Sequence, residues 1–204
     1  MNLMNTRKTI VGLSLAAGCF ILTMFGIALV TGVSQEQFEI TQNLDVFKQQ
    51  LAAAETALRL TFGVDIIFIC LFATLWIFLT QHLKNGDRVN NAIDNVSLGA
   101  MLLCALLDFH EDIHFLTLIR NVKLDLPVSH DDVSLQMILS AIKFCASYLA
   151  VFLLGFLLPR RTLAEKLLVY SFWFVQLPVG ALVYAGPSEF YPLFTLFRFV
   201  FMVS

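Results

Sequence analysis

Apolar runs of membrane-crossing length constrain this chain more than any other feature. A transmembrane helix needs about 20 mostly apolar residues. Residues 9–33, 57–80, 92–118, 134–158 and 167–184 each match that template. A sixth run, 191–203, is too short to cross about 30 Å of hydrocarbon upright; it reads as a half-span or as a span in a thinned or packed setting. The expected fold is all-α: a single integral membrane domain, built as a polytopic transmembrane helix bundle of five to six helices in a lipid bilayer. Composition agrees, with 58% hydrophobic and 14% charged residues, against about 45–50% apolar and 25% charged in soluble domains. It excludes a disordered chain, a nucleic-acid binder and an ordinary cytosolic enzyme. A net charge of −2 offers no charged face for long-range steering.

The basic residues assign an orientation. With the N-terminus in the cytoplasm, Arg7, Lys8, Lys84, Arg88, Arg160, Arg161 and Lys166 lie inside, and the opposite loops carry mostly acidic residues. That is the positive-inside pattern of a cytoplasmic-membrane protein. Asn85-Gly86-Asp87 marks an inner turn, and Pro159-Arg160-Arg161 ends the fourth run. The outer segment 34–56 mixes acidic residues with Phe38, Ile40, Leu44, Phe47 and Leu51, which suits a short amphipathic helix. Leu15-Ala16-Ala17-Gly18-Cys19 loosely resembles a lipoprotein processing box, but the apolar run continues to Val33, longer than the 7–15 residues or so of a signal core. Cys19, Cys70, Cys104 and Cys145 all fall within apolar runs without paired spacing and are expected as reduced, packed thiols.

Ionisable residues at bilayer depth are costly and by default mark a function or a paired core. Asp65 lies in the second run, and Gln136, Ser140, Lys143 and Ser147 recur along one face of the fourth. Gln176 stands in the fifth run and Arg198 in the last. Lys143 and Arg198 require counter-charges, for which Asp65 and Asp108 are suited. Two readings fit: polar pairs that specify helix packing, or a polar cavity open to the outer face for a small ligand, lipid headgroup or ion.

The densest site is Asp108-Phe109-His110-Glu111-Asp112-Ile113-His114. Residues 110–114 satisfy H-E-x-x-H, in which His110 and His114 share a helical face and chelate zinc while Glu111 acts as the catalytic base. This suggests a metal-dependent membrane hydrolase, although a third protein ligand is not marked at any recognisable spacing. At 100° per residue, Asp108 and Asp112 lie on the side of Asp94 and Ser97, whereas His110 and His114 point elsewhere. That places the aspartates toward the protein interior. A structural subunit of an oligomer or larger membrane complex is a third reading.

Glu55, Arg59 and Asp65 form an E-x-x-x-R-x-x-x-x-x-D pattern entering the second run. With an Arg before the first span and an outer loop after it, the chain resembles a bacterial family of small polytopic membrane proteins, the domain of unknown function 4386 family. The resemblance implies a helical membrane fold and carries no activity with it.

Overall fold

The computed structural model describes residues 3–39, 43–84 and 87–185. Four long helices dominate: α1 (Leu3–Thr31), α2 (Leu44–Leu83), α3 (Arg88–Lys123) and α4 (His130–Leu157). All four are long and apolar enough to span a membrane. The chain is a multi-pass, all-helical membrane protein, with no strand among the described residues. Two shorter helices follow, α5 (Leu163–Ser171) and α6 (Leu177–Ala185), joined by a π-helical turn at Phe172–Gln176. The last apolar run, with Arg198, and the Asn85-Gly86 turn lie outside the described residues.

Local chemistry sets the helix ends. Gly32, at φ 70°, stops α1 and donates its N–H to the Ala28 carbonyl at 2.8 Å; a side chain there would strain the left-handed backbone. Asn43 caps α2 by accepting from the backbone N–H groups of Asp45 and Val46 at 3.0 and 3.1 Å. Ser129 and Asp132 form a reciprocal capping box at the start of α4, and Thr162 and Glu165 do the same for α5. Between α3 and α4, Asp125 takes φ 53° and reverses the chain, a conformation that Asp tolerates better than most residues.

Two expectations change. Among its described residues the outer segment holds no separate amphipathic helix: from Leu44 onward it is the first part of α2, which runs unbroken for 40 residues. Phe47, Leu51, Ala54 and Leu58 are buried at helical spacing along it, so a continuous helix presents its apolar stripe to the protein. The fifth run is not one regular helix either. Pro178 has no N–H to offer the Phe174 carbonyl, and the backbone widens into the π turn immediately before it.

Each long helix packs on its sequence neighbour, most extensively α3 on α4, and α4 also receives α6 and the π turn. The Trp173 indole rests against Gly155 and the Tyr148 ring against Gly180, in spaces a Cβ would fill. Trp173 Nε1 donates to the Phe152 carbonyl at 3.1 Å, and the Arg160 guanidinium lies 4.4 Å from a ring centre of Trp173. α4 is the most enclosed of the four long helices and α1 the least. The thiols are free, but Cys19, Cys70 and Cys145 are exposed on helix surfaces rather than packed.

Two apolar cores are stacked along α2, α3 and α4. One gathers Phe38, Phe47, Leu51, Leu58, Phe62, Phe115, Leu118, Val128 and Val133. Its rings interlock, with Phe62 stacked on Phe115 at 5.4 Å and Phe38 edge-on to Phe115 at 6.2 Å. The other gathers Trp76, Met101, Ala150, Val151 and Leu154. Ser97 Oγ donates to the Ala150 carbonyl at 2.8 Å beside it.

Candidate functional site

Between those cores the same three helices turn polar. The register of α2 places Asp65 between Phe62 and Trp76. α3 places Asp108, Glu111 and Asp112 between Met101 and Phe115, and α4 places Gln136, Ser140 and Lys143 between Val133 and Ala150. Asp65, Glu111, Asp112, Gln136, Ser140 and Lys143 are all buried. Asp108 is the exception, with 18% of its side chain exposed.

The bonds form a chain across the α3–α4 interface. Lys143 Nζ donates to Asp108 Oδ1 at 2.8 Å and also to Glu111 Oε2. Gln136 Nε2 donates to Glu111 Oε1 at 2.7 Å. The Gln136 carbonyl oxygen only accepts, so the 2.8 Å contact with His114 Nδ1 is donated by the imidazole. In neutral His114 this leaves the Nε2 lone pair as the ring's free acceptor. The arrangement satisfies Lys143, Glu111 and Gln136 well, which burial of such groups requires.

Asp112 is not satisfied in this way. One carboxylate oxygen each from Asp65, Asp108 and Asp112 lies within 4.8 Å of the others. Asp112 is 0% exposed and both of its oxygens lack a hydrogen-bond partner. Among the described residues this trio is the grouping of three acidic, His or Cys side chains close enough to share a metal ion. Glu39, after α1, is buried as well and adds negative charge near Lys143. Among the described residues the layer thus sets five carboxyl groups against one lysine.

The sequence-derived candidates separate accordingly. Asp65, Asp108, Glu111 and Lys143 come together as one cluster, and Glu111 joins Asp108 as counter-charge to Lys143 where Asp65 was expected. His114 reaches the cluster through Gln136, whereas His110 is exposed. Gln176 lies in the π turn, its Oε1 without a hydrogen-bond partner, and no bond joins it to the cluster among the described residues. Sequence reasoning underrated Gln136 and Asp112. The spacing of Gln136 with Ser140 and Lys143 was the available signal for the first, and the position of Asp112 one turn from Asp108 for the second. Nothing in the pattern of residues pointed to Glu39.

Ion pairs mark both ends of the α2–α3 hairpin. At one end, Glu55 accepts from Arg59 at 2.9 Å and from Lys123 at 3.1 Å; at the other, Lys84 lies 3.9 Å from the buried Asp94. Compared with known protein families, curated proteins and solved structures, the chain matches none.

Proposed function

We propose that this protein binds a small positively charged ligand within the membrane, at the acidic layer of α2, α3 and α4. The observation that carries this reading is Asp112, fully enclosed, with neither oxygen bonded, beside two further aspartates. Unpaired buried carboxylates are expensive in a low-dielectric interior, and intramembrane ionisable groups of this kind mark ion or substrate sites. Asp108, the part-exposed member, is the point of entry. The positive-inside distribution supports a cytoplasmic membrane with the N-terminus inside, which puts the layer below an outer aromatic cap. Membership of the domain of unknown function 4386 family belongs to the same reading: Glu55 and Arg59 pair on α2, and Asp65 faces the cluster.

The test is thermal stability of detergent-purified protein against a panel of alkali cations, divalent metals including zinc, and small organic amines. At least one cation is expected to raise the melting temperature, and Asp112→Asn to abolish that rise. A panel without effect, or an effect indifferent to Asp112, refutes the reading. A zinc effect lost in His110→Ala and His114→Ala but kept in Asp112→Asn would favour the hydrolase alternative, with Glu111 as base.

A further inference from the structure

Resting on that reading of the layer, we infer that its occupant is a hard divalent metal cation, calcium in preference to magnesium, held by Asp65, Asp108 and Asp112, with Lys143 as its built-in competitor. The donor set consists of carboxylate oxygens alone, which suits calcium, magnesium or manganese rather than softer metals. Hydration then discriminates. Magnesium sheds its waters reluctantly, whereas calcium accepts oxygen ligands in flexible geometry. The aspartate oxygens lie within 4.8 Å of one another in a layer where Asp65 and Asp112 are buried, an enclosure that favours the ion giving up its water more readily. Three carboxylates offer up to six oxygens, and the buried Ser140 hydroxyl, itself without a partner, stands on the same face of α4 as Lys143. Asp112 supplies the independent indication: it is fully buried, one of its oxygens lies in the trio, and neither oxygen has a hydrogen-bond partner.

Lys143 gives the site its second property. Its ammonium shares Asp108 with the metal and holds Glu111 on its other side. A cation entering past Asp108 therefore competes with Lys143 for that carboxylate. Loss of the lysine leaves Asp108 wholly to the metal, so the ion binds more tightly to a protein that is less stable without it.

The experiment is equilibrium dialysis of the detergent-purified full chain, stripped of divalent ions, against calcium chloride and magnesium chloride in turn. One calcium per chain is expected, bound about tenfold more tightly than magnesium because an enclosed site requires the ion to give up water. Asp112→Asn and Asp65→Asn should each weaken calcium about tenfold or more through loss of ligand charge, with helical circular dichroism unchanged. Either variant suffices if the other fails to fold. Lys143→Gln should bind calcium more tightly than the parent. Absence of stoichiometric calcium, or binding that neither Asn variant weakens, overturns the inference. If an alkali cation or an amine still stabilises the parent through Asp112 while calcium does not bind, this inference falls and the broader reading stands. If no cation acts, both fall.

Discussion

The polar layer and the Trp76–Met101–Leu154 core lie a few turns apart on the same three helices, yet they are built on opposite principles. Around Met101 the helices meet through Trp76, Ala150, Val151 and Leu154, with one hydroxyl-to-carbonyl bond at the side. Around Asp112 they meet through carboxylates, a lysine and an amide. Packing holds the first together, and the Trp76 indole N–H is the polar group in it that goes without a hydrogen-bond partner. The second is held by a network complete for Lys143 and Glu111 and incomplete for Asp112. Replacing buried ion pairs with well-packed apolar residues is often neutral or stabilising, so stability does not explain a layer of this kind. The proposed binding role would account for it.

Removing Lys143 is the sharpest way to break the comparison. Lys143→Met leaves Glu111 as an uncompensated buried charge beside the part-exposed Asp108, at a cost of about 3–5 kcal/mol. Met101→Ala in the apolar core opens a cavity costing about 2–5 kcal/mol. Melting curves in detergent measure both, and only the first loss should be recovered by adding calcium. Equal insensitivity of the two variants to calcium would erase the distinction between the layers.

A smaller effect is expected where α6 meets α4. Gly180→Leu would drive a side chain into the Tyr148 ring, and overpacking of this kind costs about 1–3 kcal/mol. The substitution should loosen the 163–185 segment and leave the polar layer intact, so calcium binding should persist while amide exchange in that segment rises. Loss of calcium binding would show that the segment supports the site.

The smallest effect is a pH dependence away from the layer. Backbone N–H groups of Thr162 and Arg161 hold the Glu165 carboxyl below its usual range. A depressed folded-state pKa adds stability that is present above the unfolded value and lost as pH falls through the folded one. Helix α5 should accordingly fray as pH drops below about 4.5, seen as faster proton exchange at Leu163–Lys166, and Glu165→Gln should remove most of that pH dependence.

Much of the fold was legible because lipid permits few solutions. Four of the apolar runs correspond to α1–α4, since unpaired backbone groups in hydrocarbon leave helices as the answer. What eluded the sequence were features set by neighbours. Phe47 and Leu51 look like one face of a surface helix until Phe38, Val128 and Val133 are seen to cover them, and Pro178 gives no hint that the widened turn ahead of it seats Trp173 on Gly155. In the site, Lys143 and the aspartates were read as partners from charge alone. The bridging role of Gln136 depends on the facing of α3 and α4, which periodicity along either helix does not contain. The H-E-x-x-H spacing drew attention to His110 and His114 as a pair, but the fold sends one to the surface and ties the other to Gln136.

The unbroken length of α2 has a consequence for the bilayer itself. Forty residues rise roughly 60 Å, about twice the hydrocarbon thickness, and the N-terminal end resists melting, since it is capped by Asn43 and packed by Phe47 and Leu51. A helix in that position adapts to a thicker or thinner membrane by sliding or tilting as a rod. Because α3 is paired to it through Glu55 and Lys123, the two tilt together, and membrane thickness becomes a mechanical input to the carboxylates at their middle.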